Sequence, residues 1–313
     1  MQLLYALAKL RTPFLDTVLG ALTNCGGEIV FMAVAIIVFW CVSKSCGYYM
    51  LTVGFVGTIV NQFLKLVFRI PRPWVKDPDF QIVESARAEA TGYSFPSGHT
   101  QNVFASFGCL GRWTRRTWLR VVCALLIVVT AFSRMYLGVH TPLDVGVSFG
   151  IGLVLVFALY PLFRDIDSHP KRLYLLFGAM AVLGAAYLLF AELWPFPADV
   201  DAANLASGRK NAYTLLGAVL GMTFAYWLDR RYVHFDVRAV WWAQVLKTVL
   251  GLAITIGLRA ALKAPLLALC GGHNVANLIR YALMVIFAAG IWPMTFGWFG
   301  RLGQKKPASG ASD

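Results

Sequence analysis

Long apolar segments recur along almost the whole of this chain, and they restrict its fold more than any other feature. Each is about long enough to cross the roughly 30 Å hydrocarbon core of a bilayer as a helix. Hydrophobic residues make up 58% of the sequence and charged residues only 14%, and the mean hydropathy is +0.65. Soluble domains do not have this composition. The sequence therefore predicts an all-α, polytopic integral membrane helical bundle.

About nine transmembrane helices are predicted from these segments. The third is short, and its Gln101, Asn102 and Ser106 would be costly to expose to lipid, so we expect it inside the bundle. Residues 1–24 are apolar with internal charges, which favours a retained interfacial amphipathic helix, with a tenth span as the alternative. The predicted spans are residues 28–43, 48–68, 98–112, 118–137, 143–163, 173–193, 212–228, 241–262 and 276–298.

Lysine and arginine cluster in alternate connections between the predicted spans. Short cytoplasmic loops keep positive charge during insertion, so this side is predicted to face the cytoplasm. The formal net charge of +13 follows from this topology and from attraction to membrane lipids with anionic headgroups, and no nucleic acid partner is expected. The basic residues on this side are Lys44, Arg112, Arg115, Arg116, Arg120, Arg164, Lys171, Arg172, Arg230, Arg231, Arg238, Arg301, Lys305 and Lys306.

Three short polar motifs interrupt the apolar pattern, and all three fall at the opposite, extracytoplasmic face. Together they supply two histidines, two arginines, a lysine, a carboxylate, and a turn in which a glycine lets the backbone approach a ligand closely. These are the groups needed to bind a phosphate and attack it without a metal. The motifs are Lys65 with Arg72-Pro73, then Pro96-Ser97-Gly98-His99, and then Ser133-Arg134 with His140 and Asp144.

Five of these residues are candidates for binding the phosphate. Arg72 and Arg134 can each offer a planar fork to two oxygens, and Lys65 supplies a point charge. Ser97 and Gly98 begin a helix after a proline, which directs free backbone N–H groups and the positive end of the helix dipole at an anion.

Three residues are candidates for the chemistry. Asp144 lies four residues after His140, one turn along a helix that starts at Thr141-Pro142, so its carboxylate can orient the imidazole of His140 for attack on phosphorus. This attack would give a phosphohistidine intermediate. His99 would protonate the leaving oxygen and then activate the water that hydrolyses this intermediate. No metal or other cofactor is expected. Ser133 has a simpler alternative, a hydrogen bond to the backbone of its own helix.

These motifs resemble those of the type 2 phosphatidic acid phosphatase family, which has a histidine phosphatase and haloperoxidase-like core. All three elements of the family signature are present: lysine, six residues, Arg-Pro; Pro-Ser-Gly-His; and Ser-Arg, five residues, His, three residues, Asp. The resemblance covers roughly the first 165 residues. It implies phosphate contacts from Lys65, Arg72, Ser97, Gly98 and Arg134, an acid role for His99, and a nucleophile in His140 supported by Asp144.

The resemblance also suggests how the chain is divided. Residues 1–165 would form the phosphatase core with its N-terminal interfacial helix, residues 166–303 an additional four-helix transmembrane region, and residues 304–313 a flexible tail. The additional helices are candidates for homodimer formation, for shaping a lipid entry or for a second activity.

The expected function is an integral membrane phosphatase that hydrolyses lipid phosphomonoesters or pyrophosphates at the extracytoplasmic leaflet. Candidate substrates are phosphatidic acid, phosphatidylglycerol phosphate, polyprenyl pyrophosphate and sphingoid phosphates. Three alternatives stay open: a sugar-phosphate phosphatase of the glucose-6-phosphatase type, a lipid phosphotransferase, and a lipid transporter or binding scaffold. The expected location is a bacterial inner membrane with the site facing the periplasm or exterior; the endoplasmic reticulum is the eukaryotic alternative.

Overall fold

In a computed structural model the structure describes residues 1–166 and 168–302, whose regular secondary structure is all helical and includes no strand. The predicted all-α class is thereby confirmed, whereas the predicted tail at 304–313 lies outside the described residues. The helices are α1 (Gln2–Ala8), α2 (Pro13–Thr23), α3 (Glu28–Cys41), α4 (Lys44–Phe68), α5 (Pro73–Lys76), α6 (Gly98–Val103), α7 (Cys109–Trp113), α8 (Thr117–Tyr136), α9 (Pro142–Arg164), α10 (Pro170–Leu193), α11 (Ala202–Leu228), α12 (Trp241–Ala261), α13 (Lys263–Leu269), α14 (Val275–Ile286) and α15 (Phe296–Arg301).

The central helix of the bundle is α4, which is buried along most of its length. It begins at a capping serine, Ser43, whose hydroxyl accepts a hydrogen bond from the backbone N–H of Cys46. It ends where Arg69 adopts a left-handed backbone conformation with φ of 49°. Helices α3, α9, α10 and α11 all pack against it, so α4 joins the N-terminal and C-terminal parts of the chain.

Six helical segments in the described part are long and apolar enough to cross a membrane, and a seventh is possible if α2 and α3, bent by 50°, form one broken span. The predicted count of nine is not confirmed. Segment 98–112 is interrupted by a π-helical turn at Phe104–Gly108, and α11 is polar in its first half. The six segments are Lys44–Lys76, Thr117–Tyr136, Pro142–Arg164, Pro170–Leu193, Trp241–Leu269 and Val275–Arg301.

The interrupted segment lies inside the bundle, as its polar residues led us to expect. Gln101 and Ser106 are buried, and the segment packs against α4, α8 and α9. Burial among helices removes the cost of exposing these polar side chains to lipid.

The first two helices pack against the end of α8 that lies nearest the predicted site. The guanidinium of Arg11 donates to the carbonyl oxygens of Tyr136 and Gln81. The phenol of Tyr136 in turn donates to the carboxylate of Asp16 at 2.8 Å. These bonds anchor the N-terminal segment to the bundle, while its interfacial position in a membrane stays a prediction.

The C-terminal helices are joined closely to one another through small residues. Helix α11 packs against α14 and α10, and at Gly217 the backbones approach so closely that an added Cβ would lie 2.2 Å from the carbonyl oxygen of Leu278. At the other end of the bundle, the ammonium of Lys44 forms a 2.8 Å ion pair with the buried carboxylate of Asp229. This pair joins α4 to the end of α11.

We expect Gly217→Ala to destabilise the protein, because its Cβ would force α11 and α14 apart. Overpacking of this kind costs about 1–3 kcal/mol. The measurement is thermal unfolding of the purified protein in detergent, where a fall of several degrees in Tm is expected. Gly257→Ala is the matched control, since an added Cβ there meets no atom within 4 Å. Equal Tm values for the two variants would contradict the close contact.

Candidate active site

The three sequence motifs meet at one end of the bundle. Lys65 lies in the last turn of α4, and Arg134 in the last turn of α8. The backbone N–H of Ser97 donates to the carbonyl oxygen of Asp144 at 3.1 Å, which fastens the second motif to the third. The structure thus brings together residues that lie far apart in the sequence. Lys65, Arg72, Gly98, His99 and His140 line one cavity of about 630 Å³.

The ring of His140 is held in a defined protonation state by its neighbours. Its Nε2 lies 2.9 Å from the Nη1 of Arg72, and because a guanidinium can only donate, Nε2 must accept and carries the lone pair. The proton of a neutral ring is then on Nδ1, which faces Asp144 Oδ2 at 3.5 Å. This separation is too long for a good hydrogen bond, so the carboxylate acts on the ring mainly through its charge.

Burial is the main cause that lowers the pKa of His140 well below its usual value, followed by the positive charges of Arg72, Arg134 and Lys65. The imidazole is therefore neutral at neutral pH, as a nucleophile must be. The predicted role of His140 requires this state.

Asp144, at the start of α9, is fixed by hydrogen bonds with two neighbours, Thr141 and Ser94. The prediction that this helix starts at Thr141-Pro142 is confirmed, since Thr141 is the N-cap and forms a capping box with Asp144. Oδ2 of Asp144 accepts from the backbone N–H of Thr141 at 2.7 Å and from the hydroxyl of Ser94 at 2.6 Å. The carboxylate is thus oriented before any substrate binds.

The cationic side chains at the cavity also bind backbone carbonyls. Arg72 donates to the carbonyl oxygens of Thr91, Gly92 and Val139 at 2.7–3.0 Å, and the ammonium of Lys65 donates to that of Tyr93. The loop between α5 and α6 is therefore folded around the two cations.

The remaining predicted phosphate ligands differ in their surroundings. Gly98 faces open space, because an added Cβ would meet no atom within 4 Å, and this leaves room for a phosphate close to the backbone. Ser97 is the N-cap of α6, and its hydroxyl accepts from Thr100. Arg134 is buried and donates to the hydroxyl of Thr23 at 2.9 Å. Neither Ser97 nor Arg134 lines the cavity.

His99 lines the cavity together with an acidic partner that the sequence did not reveal. Its Nε2 lies 2.9 Å from the carboxylate of Glu89, and the hydrogen bond with His99 lowers the pKa of that carboxyl. A carboxylate on one ring nitrogen favours the protonated imidazole. Burial, together with the charge of Arg134, lowers the pKa of His99 below its usual value, and the hydrogen bond with Glu89 opposes this shift. Glu89 therefore supports an acid role for His99.

Sequence reasoning missed Glu89, Ser94 and Thr23. All three bind members of the motifs through tertiary contacts, and none stands at a spacing that marks it in the sequence. The simpler interpretation of Ser133 agrees with the structure, because its hydroxyl donates to the carbonyl oxygen of Thr130 in the same helix.

Comparison with known families identifies the family of the chain. Residues 44–167 match the sequence profile of the PAP2 superfamily, and residues 213–305 match that of the PAP2 superfamily phosphatase, transmembrane extension. The chain belongs to the PAP2 superfamily. It is accordingly a membrane phosphatase, and the extension accounts for much of the C-terminal half that the motifs left unexplained.

Several relatives of this PAP2 protein are lipid phosphatases by name. Phosphatidylglycerophosphatase B of Bacillus subtilis is 25% identical over 53% of this chain and 82% of its own length. Undecaprenyl-diphosphatase BcrC of the same organism is 32% identical over 39% of this chain and 61% of its own. A probable sphingosine-1-phosphate phosphatase of Dictyostelium discoideum is 27% identical over 71% of this chain and 56% of its own length. The last two are thus matched over less than two thirds of their length. No solved structure matches the chain significantly.

We expect Ser94→Ala to lower kcat of this PAP2 phosphatase by about tenfold, because a charged carboxylate would lose a short hydrogen bond. The measurement is steady-state phosphate release from a lipid phosphate in detergent. Ser133→Ala is the matched control and should change kcat by less than about twofold, since its hydroxyl bonds only its own helix. Unchanged kcat in Ser94→Ala would show that Asp144 needs no support from the loop.

Proposed function

We propose that this PAP2 protein hydrolyses lipid phosphomonoesters or pyrophosphates at the extracytoplasmic face of the membrane, through a phosphohistidine formed on His140. The observation that carries the proposal is the contact of Arg72 Nη1 with His140 Nε2 at 2.9 Å. It supports an unprotonated Nε2 beside a cavity that also holds Lys65 and His99. A phosphate oxygen that takes over this guanidinium donor would release the lone pair of Nε2 for attack. The names of the relatives support lipid phosphates as the substrate class.

In the first step, Nε2 of His140 attacks phosphorus and the bond from phosphorus to the lipid oxygen breaks. Arg72 and Lys65, together with Ser97, Gly98 and Arg134 as predicted, would stabilise the charge on the equatorial oxygens. Asp144 offsets the positive charge that forms on the imidazole.

His99 carries the protons in both steps. It donates a proton to the departing lipid oxygen, which leaves as an alcohol or, from a pyrophosphate, as a lipid monophosphate. It then accepts a proton from water, which attacks the phosphohistidine, releases inorganic phosphate and restores His140. Glu89 stabilises the protonated ring that the first step requires.

The distribution of basic residues supports an extracytoplasmic site. The connections at the end of the bundle remote from the cavity carry clusters such as Arg115 and Arg116, which favour the cytoplasm. We therefore infer an integral protein of a bacterial inner membrane, with the cavity at headgroup depth. We also infer a phosphatase core at 1–165 and an added region at 166–303 that includes the remaining spans; the match of residues 213–305 to the transmembrane extension supports this division.

We expect His140→Ala to lower phosphate release by at least about a thousandfold, because the nucleophile is lost. His99→Ala should lose about 10²- to 10⁴-fold with a lipid phosphate. It should lose much less with p-nitrophenyl phosphate, whose leaving group needs no proton. The assays use purified protein in the presence of a chelator, and activity of the wild type should persist there.

Trapping of the intermediate gives an independent check on the same proposal. Rapid acid-free quenching with a ³²P-labelled substrate should give an alkali-stable, acid-labile label on the wild type and none on His140→Ala. Label on another residue, or equal activity loss by His99→Ala with both substrates, would contradict the assigned roles.

The membrane face is testable by cysteine labelling in intact cells. Ser85→Cys, in the loop beside the cavity, should react with a membrane-impermeant maleimide, whereas Thr117→Cys, at the opposite end, should react only after permeabilisation. Both positions are exposed in the structure. The parent protein with its six native cysteines gives the background. The reverse labelling pattern would place the site on the cytoplasmic face.

A further inference from the structure

The cavity that holds the phosphate site continues toward the middle of the bundle along one face of α4. Thr58, Asn61, Gln62 and Lys65 all line it, at spacings of three and four residues that place them on one helix face. From Lys65 to Thr58 the helix descends roughly 10 Å. The cavity is therefore deeper than a phosphate alone requires.

The level just below the phosphate site is lined by amides rather than by charges. Asn61 lies about one helical turn below Lys65, roughly 6 Å along the axis, and Gln101 lies two residues below His99. Both side chains are almost completely buried, at 3% and 1% exposed. Their amide nitrogens and oxygens have no hydrogen-bond partner among the described residues. Buried polar groups are normally paired, since an unpaired one is costly.

The surrounding helices are shaped to hold these amides in place. Gly57 gives space to Gln101, because an added Cβ would lie 2.2 Å from the amide nitrogen of Gln101. On the other side, the amide of Asn211 in α11 donates to Gln62 at 3.2 Å, and Asn211 also lines the cavity. The C-terminal region therefore takes part in this level of the cavity.

Below the amides the lining becomes apolar. Phe31, Met32 and Phe55 face the cavity, and the ring of Phe31 lies against Gly54, eleven residues before Lys65. The cavity thus changes from cationic to amide to apolar with depth. A lipid phosphate with polar groups on its first carbons has the same order: phosphate, then hydroxyl, amine or ester, then hydrocarbon.

We propose that Asn61 and Gln101 bind the polar carbons next to the scissile phosphate, and so select phosphomonoesters that carry a hydroxyl, amine or ester there. Glycerolipid and sphingoid phosphates share this chemistry. The proposal rests on the phosphatase function proposed above and deepens it. A prenyl pyrophosphate is disfavoured, because it has a second phosphate where the cavity offers neutral amides. Among the residues that the structure describes, Lys65 and Arg72 are the only lysine and arginine that line the cavity.

The test compares four substrates in detergent. Sphinganine 1-phosphate and a lysophosphatidic acid carry polar groups next to the phosphate, octadecyl phosphate has the chain length of sphinganine without its amine and hydroxyl, and farnesyl pyrophosphate has a second phosphate. Comparison of the lysophosphatidic acid with sphinganine 1-phosphate shows whether the cavity prefers the glycerol ester or the sphingoid amine and hydroxyl. Wild type should show kcat/KM at least about tenfold higher for the two polar phosphates than for octadecyl phosphate, the order expected when binding leaves a buried amide unpaired.

Asn61→Leu and Gln101→Met should lose this preference while their rates with octadecyl phosphate stay within about threefold of wild type. Thr52→Val is the matched control, because Thr52 is also a buried, unpaired polar side chain on α4 but does not line the cavity, and it should keep the preference. Inhibition by vanadate, a mimic of phosphate, should be unchanged in all three variants.

Binding is measured separately, as the ligand-induced rise in Tm of His140→Ala with and without Asn61→Leu. Two results would overturn the amide proposal and leave the phosphatase function standing. One is that wild type turns over all substrates with equal kcat/KM. The other is that Asn61→Leu and Gln101→Met lose equal activity with the polar phosphates and with octadecyl phosphate. A different combination of results would support the amide proposal and overturn the proposed function. In it, polar phosphates bind more tightly than octadecyl phosphate, Asn61→Leu abolishes this difference, and wild type releases no phosphate from any substrate.

Discussion

The guanidinium of Arg72 joins the parts of the site that the chain brings from different places. It binds the carbonyl oxygens of Thr91 and Gly92 in the loop before α6 and that of Val139 before α9, and it contacts His140 directly. A buried cation without partners is very costly. These carbonyls solvate Arg72 in place of water, so the loop must close over it for the bundle end to be stable. The same closure positions His140, the proposed nucleophile.

The site also depends on where helices end. Lys65 and Arg134 occupy last turns of α4 and α8, and Asp144 occupies the first turn of α9. Helix termini offer backbone groups without intrahelical partners, so polar side chains can be bonded there at little cost while the helix bodies stay apolar. The predicted site is thus built from the ends of helices, where polar side chains can be bonded without interrupting the apolar bodies of the helices.

The motifs could be read from the sequence because their residue types and spacings are local, and the start of α9 at Pro142 followed from proline and capping chemistry. The partners Ser94, Glu89 and Thr23 could not be predicted from the sequence, since each contacts a motif residue only in the folded structure. The predicted number of spans is not confirmed, for a related reason. A window of apolar residues does not show that segment 98–112 is interrupted by a π-helical turn, or that the predicted span 212–228 is the second part of one longer helix, α11.

The N-terminal helices close one side of the site rather than leading up to it. Thr23 at the end of α2 accepts the hydrogen bond of Arg134, and at Gly26 the backbone lies so close that an added Cβ would be 2.5 Å from the carbonyl oxygen of His99. A shortened protein that starts after Gly26 would leave Arg134 buried without this partner. For purification or imaging, a fusion partner is therefore better attached at the carboxyl end, which keeps the amino-terminal wall of the catalytic chamber intact.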